Sequence, residues 1–424
     1  MSKIYYDTDM TEMPSNCIEC KMVAKKCGYS YWGFLGDTKM DKDGNLLSTP
    51  DGNAFYSWSI IRQLQKDGYV VVQVMPDRDK DGFDYTMKTE KSYFDWAVTD
   101  KCTAYVEMQK NMYNELILEK EWYEVTSEML FTIWDRYGLN NCEFILHEWR
   151  MCIPGRNDEQ SRGKGWQPDY FIQNCLIEYC RTRGIKLIVF DLDYKIDIID
   201  FTRMYETGVD ISILELGNKW QCFETGSDMK GRRFGKVYIP FDWEHIDDFA
   251  INPMPVDDMV YVGNRYERDW CIDKYIPNCK GRRITVYGNW NEGGRDSETR
   301  WPGVHFGKRI QTSDMRFVYS NSLVTILLAK KEYCKYSFMT ARIIEAIFYG
   351  TVPLFIAEYG ADTIKEYAGR YAPLLTVYNS NEVLQRIDYF RNNLKERYTI
   401  IEYLRRRLRF MDVKNFTKIL YEIK

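Results

Sequence analysis

Short apolar runs alternate with segments of helical periodicity along most of the chain, and this alternation constrains its fold more than any other feature. An apolar run bounded by turn residues makes a strand buried on both faces. A helix between two such runs returns the chain so that they lie parallel. The first half reads "YSYWGFL" as a strand and "DGNAFYSWSIIRQLQKDGY" as the helix after it, apolar at Phe55, Trp58, Ile61 and Leu64. "YVVVQVM", "NCEFILHE", "GIKLIVFDLD" and "DISILEL" follow as strands, with helical stretches at Asn111–Tyr137 and "DYFIQNCLIEYCRTRG" between them.

The pattern is interrupted at "INPMPVDD", Ile251–Asp258, where two prolines stand close together. A second series then begins. "DMVYVGN", "RRITVYG", "VHFGKRI", "LVTILLAK" and "TVPLFIA" read as strands or strand-loops, with "RYERDWCIDKYI", "SDMRFVYSNS" and "TARIIEAIFYG" as the helices among them. Amphipathic segments at Asn381–Asp412 and Lys414–Lys424 complete the chain. The expected class is α/β: two Rossmann-like domains, 1–252 and 253–424, facing one another across a cleft, with C-terminal helices packing back across the boundary.

A chain of 424 residues exceeds one ordinary core, which agrees with two domains. No stretch has the roughly 18 uncharged apolar residues of a membrane helix, and Met1–Cys27 lacks the apolar centre of a signal peptide, so a cytoplasmic location without membrane contact is expected, in the host cytoplasm if the chain is phage-encoded. The 12 cysteines are scattered through apolar runs and read as reduced, buried thiols. Cys17, Cys20 and Cys27 have half the spacing of a zinc site without its complement, and with three histidines in the chain a multi-histidine metal centre is not expected, which leaves only an oxygen-ligand site open. A net charge of -4 offers no global attraction to polyanions, so any contact with DNA must come from a local patch.

The most informative segment is "SFMTARIIEAIFYGTVPLF", Ser337–Phe355. A helix opening toward the cleft presents free backbone amides and partial positive charge suited to a diphosphate, with Ser337, Thr340 and Arg342 at or near that opening. Glu345 follows on the same helix, where its carboxylate can accept from ribose hydroxyls. "RIIEAIFYGTVPLF" resembles the donor-binding signature of the GT-B glycosyltransferases, in which a Glu precedes a small residue, a short apolar run, Gly, Thr and Pro. The resemblance implies a nucleotide-sugar donor, a UDP-sugar in the first instance, with Glu345 on its ribose and no obligatory metal. The position eight residues earlier, a second Glu in many such enzymes, is Ser337 here. Gly263, Asn264, Arg265 and Arg268 after the domain's first strand, Tyr287 and Gly288, Lys308 and Arg309, and Lys330 stand in strand-end loops that in similar enzymes hold nucleobase and phosphates.

In the first domain, "FILHEWRMCIPGRND" ends a buried strand in His147 and Glu148, and "TPDGNAF" sets Asp51 at the start of a helix, either as a simple cap or facing an acceptor. The "HEWR" stretch resembles the His-acid pair of the T-even-type phage enzymes that glycosylate 5-hydroxymethylcytosine in DNA, which implies double-stranded DNA as acceptor and His147 and Glu148 between acceptor and donor sugar. Arg150, Arg156, Arg162 and Lys164, interleaved with Trp149 and Trp166, form the basic loop that would hold DNA phosphates, or a solvated surface loop. Asp191 and Asp193 have the spacing of the metal-binding acids of the GT-A fold. That fold leaves the second sheet without a role, so Asp191 is assigned to the acceptor side, contacting the acceptor or orienting Arg150. The run Arg405–Arg409 fits the polar face of a C-terminal helix.

Overall fold

The computed structural model describes residues 25–30, 52–73, 126–136, 138–149, 168–191, 196, 206–218, 233–244, 250–276, 281–291, 297–310 and 312–424. They form two six-stranded sheets, every pairing in both of them parallel. The first contains β1 (Lys25–Ser30), β2 (Tyr69–Gln73), β3 (Phe144–Glu148), β4 (Lys186–Asp191), β5 (Ile211–Leu216) and β6 (Arg233–Val237), in the order β2-β1-β3-β4-β5-β6. The second contains β7 (Asp257–Val262), β8 (Ile284–Tyr287), β9 (His305–Gly307), β10 (Ser322–Leu327), β11 (Val352–Ile356) and β12 (Thr376–Val377), in the order β12-β11-β10-β7-β8-β9. The class expected from the alternating pattern is the one observed.

The central strands are buried along their whole length because helices cover both faces of each sheet: every residue of β3, β4, β10 and β11 is buried, the polar residues falling mainly at strand ends. In the second sheet the chain runs outward from β7 to β8 and β9, then returns to place β10 on the other side of β7. Strand order therefore reverses between β7 and β10. A crevice opens at the carboxyl ends of strands where such a reversal occurs.

Three first-lobe elements differ from the expectation, and in the second lobe the short strand β12 and the helix Ala361–Ala368 were not anticipated. The first strand begins at Lys25 rather than Tyr29, and residues 31–35 lie outside the described region. The helical stretch expected from Asn111 is described only over Ser127–Arg136. The edge strand β6, "RFGKV", was not anticipated, because its sequence has neither an apolar run nor alternation. It pairs with β5 from Ser212↔Arg233 to Leu216↔Val237.

The C-terminal segment is three helices, Ser380–Asn392, Leu394–Arg407 and Val413–Ile423. The last crosses back to the first sheet, as expected. Phe416 meets Phe190 of β4 edge to face at 5.2 Å, Tyr421 stacks on Tyr69 at 5.7 Å, and Lys424 donates to Glu143 Oε2 at 2.8 Å. Val413, Phe416, Leu420 and Ile423 are buried by this docking, each contributing about 1.5–3 kcal/mol of hydrophobic stabilisation. The return crossing lies beside the outward one: Phe241 N donates to Met411 O at 3.0 Å and Val413 N to Phe241 O at 2.8 Å.

The run at Arg405 is not simply a polar face. Arg405 is buried and donates to Ile347 O at 3.0 Å and Phe348 O at 2.6 Å, while the buried Arg397 reaches the carbonyls of Asn252, at 2.9 Å, and Gly350. Burial pushes the Arg397 guanidinium down to about 10, still cationic at neutral pH. Both cations thus satisfy carbonyls at the end of the Arg342–Phe348 helix. Gly350 ends it in the left-handed region at φ 79.

Candidate functional site

A cleft of about 530 Å³ lies at the carboxyl ends of β7 and β10, with Tyr56 and Ile239 of the first lobe facing the second lobe across it. Ten of the thirteen residues expected to hold a donor line it: Gly263, Asn264, Arg268, Tyr287, Gly288, Arg309, Lys330, Thr340, Arg342 and Glu345. Lys308 is exposed and not in its lining.

The floor is made by glycines. A Cβ on Gly263 would meet Arg342 Nη2 at 2.3 Å and the Tyr261 hydroxyl at 2.7 Å, and one on Gly288 would meet Gly263 O at 2.4 Å. The ends of β7 and β8 are therefore in backbone contact, closed further by Trp290 Nε1 donating to Gly263 O at 2.7 Å and Asn289 N to Asn264 Oδ1 at 3.1 Å. This close approach sets Arg342 against the β7 end: its Nε donates to Val262 O at 2.6 Å and its guanidinium lies over the Tyr261 ring at 5.2 Å.

Arg268 is buried and points back into its own loop, where Nη1 donates to the carbonyls of Asn264, at 3.1 Å, and Tyr266, at 3.2 Å. Its Nε has no hydrogen-bond partner among the described residues. A buried donor of this kind is costly unless an acceptor is supplied, and the cleft beside it is where one can enter. Lys330 stands 3.9 Å from Glu267 at the rim. Glu267 and Ser337 are the two non-glycine residues in the left-handed region among those described, at φ 52 and φ 58, one in each loop bordering the cleft. Such strain persists where surrounding contacts enforce it and is concentrated at functional loops.

The helix behind the cleft is Arg342–Phe348, seven residues. Its ladder starts with Ile343 N donating to Thr340 O and Ile344 N to Ala341 O, so the amides of Thr340, Ala341 and Arg342 precede it, and all three residues line the cleft. Glu345 is buried behind them, accepting from Tyr319 OH at 3.2 Å. Burial pushes its carboxyl above the usual range, against the pull of the neighbouring Arg342 and the Tyr319 phenol.

Two expected donor contacts lie elsewhere. Arg265 is drawn away by the carboxylate one helical turn on, Asp269, at 2.5 Å, and packs over Trp301 at 5.3 Å. Ser337 falls before the helix rather than at its opening, in the left-handed turn, with its hydroxyl accepting from Thr363 Oγ1 at 2.9 Å.

The first-lobe residues are distributed unevenly. His147 is fully buried between Ser30, at 2.8 Å, and Gln173, at 3.0 Å, both ring nitrogens engaged. Because Gln173 Oε1 only accepts, Nε2 carries the proton and Nδ1 accepts from the Ser30 hydroxyl. Burial lowers its pKa to about 4, so it is neutral and has no spare lone pair for an acceptor. The expectation that His147 faces the cleft is corrected: its strand end is enclosed within the first lobe. Glu148, the next residue, is also buried and is not in the cleft lining; its register partner is Phe190, which meets Tyr56 of the cleft wall at 6.5 Å. Asp191 is fully buried at the end of β4, opposite Glu215 of β5, with Oδ1 accepting from Ile196 N at 3.5 Å. Asp51, Asp193 and the basic loop of Arg150, Arg156, Arg162 and Lys164 lie outside the described residues.

Tyr56, Ile239, Tyr266, Ile310, Met315, Tyr333 and Phe338 line the cleft without having been anticipated. Each is an ordinary aromatic or aliphatic residue in sequence, and only the meeting of the lobes and loops distinguishes it. Among the described residues no group of three or more His, Cys, Asp or Glu could hold a metal ion, the six described cysteines are free and buried, and no helix is long and apolar enough to cross a membrane.

Residues 268–412, about a third of the chain, match a family model described as glycosyl transferase-like. No curated protein matches the chain in sequence. Among solved structures it is similar to T4 phage β-glucosyltransferase in complex with UDP-glucose, at 14% identity, TM-score 0.53, covering 93% of this chain and 99% of that one. The same phage enzyme with UDP and Mn2+ gives 14% identity and TM-score 0.54 over the same shares. Anabaena HepE in complex with UDP-glucose gives 11% identity and TM-score 0.51, covering 94% and 98%. The chain has the GT-B fold, two Rossmann-like lobes with C-terminal helices.

Proposed function

We propose that the chain is a glycosyltransferase that takes a sugar from a nucleotide-sugar donor, a UDP-sugar, and transfers it to a hydroxyl acceptor. The observation carrying this reading is the convergence on one cleft of Arg268, with its unpartnered Nε, Arg342, Lys330, Arg309 and the carboxylate of Glu345. Four cations beside pre-ladder amides suit a diphosphate that gains charge as it departs, and preorganised contacts of this kind are worth about 3 kcal/mol each in the transition state. Among the described residues Glu345 is the one carboxylate in the lining, and it faces the ribose in this reading. The solved relatives bound to UDP or UDP-glucose support uridine as the base.

On the acceptor side Glu148 is the proposed general base, since it stands at a strand end on the sheet face that Tyr56 covers. The proposed acceptor is 5-hydroxymethylcytosine in double-stranded DNA, flipped into the cleft, with Arg150, Arg156, Arg162 and Lys164 on phosphates. The full-length similarity to the phage DNA-modifying enzyme supports it. The similarity to HepE at TM-score 0.51 keeps a glycan acceptor as the second reading.

Incubation with a panel of UDP-sugars and hydroxymethylated DNA, unmodified DNA or a glycan acceptor, followed by nucleoside mass analysis and measurement of UDP release, tests both levels. A mass increase of one sugar on hydroxymethylcytosine is the expected result. Donor turnover only with a glycan acceptor would move the chain to the second reading, and no turnover with any donor would remove the enzyme assignment.

A further inference from the structure

The Glu345 to Thr351 stretch is held at both ends by one residue outside it. Tyr319, at the close of the Thr312–Ser320 helix, is fully buried; its phenol donates to Glu345 Oε2 at 3.2 Å, and its main-chain carbonyl accepts from the Thr351 hydroxyl. Its ring stacks on Tyr349 at 6.1 Å with 18° between planes, which fixes the direction of the hydroxyl. Neither Tyr319 nor Thr351 lines the cleft, whereas Glu345 does.

A glutamate with three free torsions would lose about 1.5–2 kcal/mol of side-chain entropy on meeting a ligand. One already fixed through a single oxygen presents the other in one direction and loses much less. Burial works against the charge of Glu345, and the phenol is one of two groups that oppose it, Arg342 being the other. We infer that Tyr319 is a positioning residue: it orients the Glu345 carboxylate toward the ribose hydroxyls of a bound nucleotide, and Thr351 holds Tyr319 in reach. This rests on the nucleotide-sugar reading of the cleft. It also explains why a Thr follows the helix-ending Gly350, since a hydroxyl there secures Tyr319 rather than touching ligand.

The test is calorimetric titration of the full chain with UDP and with 2′-deoxyuridine 5′-diphosphate. The wild-type chain is expected to prefer UDP about tenfold, the size of a lost charge-assisted hydrogen bond. Tyr319→Phe keeps the ring and is expected to narrow that preference to about threefold or less by weakening UDP while leaving the deoxy ligand within about twofold. Thr351→Val, which leaves the phenol intact, is expected to narrow it in the same direction by a smaller factor. A general packing defect would weaken both ligands alike, so an unchanged ratio in both variants overturns the positioning role while leaving the nucleotide reading standing. Wild-type chain without affinity for either nucleotide overturns the nucleotide reading and this role with it.

Discussion

Arg405 donates to the main-chain oxygen of Phe348 at 2.6 Å, so a cation from near the chain's end closes the last turn of the helix whose first turn faces the cleft. The bond is buried and is joined by a second to Ile347 O at 3.0 Å. Arg405→Met removes both donors; Ile347 O keeps Gly350 N at 3.3 Å, so the cost falls mainly at Phe348 O, about 1–3 kcal/mol. Urea unfolding should give a loss of about 1–3 kcal/mol, and a loss below about 0.5 kcal/mol would mean that water replaces the guanidinium.

Docking of the Val413–Ile423 helix on the first sheet makes a second energetic claim. Phe416 is buried against Phe190. Phe416→Ala should destabilise the chain by about 3–5 kcal/mol, read from the same unfolding curves. A much smaller cost would mean that this helix rests on the sheet without bearing on its stability.

Gly263→Ala brings a methyl to 2.3 Å from Arg342 Nη2 and 2.7 Å from the Tyr261 hydroxyl, so the guanidinium must leave its place on Val262 O. UDP affinity should fall by about tenfold or more, a loss of one or two charge-assisted contacts. Titration of the variant checks it, and wild-type affinity would show that Arg342 is not needed where it lies.

His147 gives a pH signature. Its pKa is about 4 in the folded chain against 6.5 for an ordinary histidine, so between these values the unfolded chain binds a proton that the folded one does not. Stability is then fully present above 6.5 and declines as pH falls toward about 4, by a total on the order of 3 kcal/mol. His147→Gln should lose that part of the slope, measured by urea midpoints across the range. An identical slope in wild type and variant would contradict a neutral, buried imidazole.

Glu148→Gln should depress sugar transfer by about a hundredfold or more while UDP affinity stays within about twofold, since a general base acts on the acceptor and not on the donor. Steady-state rates paired with titration separate the two effects. Near-normal turnover would remove Glu148 from the acceptor chemistry.

The sequence made the architecture readable where apolar runs were long. β10 and β11 are six and five residues of unbroken burial, and the helix between them ends at a glycine with left-handed backbone, as its pattern required. β6 escaped because an edge strand is covered on fewer sides and its residues need not be apolar. Ten residues of the cleft lining were legible because strand-end loops place backbone and basic side chains with little ambiguity. Arg265 and Ser337 were misplaced for local reasons: a carboxylate one turn on captures the first, and a left-handed turn removes the second from the helix. His147 was misplaced because its strand end is enclosed within the first lobe, where Ser30 and Gln173, both distant in sequence, take its two ring nitrogens. Tyr56, Tyr319 and Arg405 required the packed chain, because their partners lie far away in sequence.

The proposed reading of the cleft requires one placement, a diphosphate between Arg268 and Arg342 with the ribose on Glu345. A crystal structure of the chain grown with UDP tests it directly. The expected difference density has phosphate oxygens within hydrogen-bond reach of Arg268 Nε and the Arg342 guanidinium, and ribose hydroxyls on the Glu345 carboxylate. Density for UDP elsewhere in the molecule, with this cleft holding solvent, would contradict it.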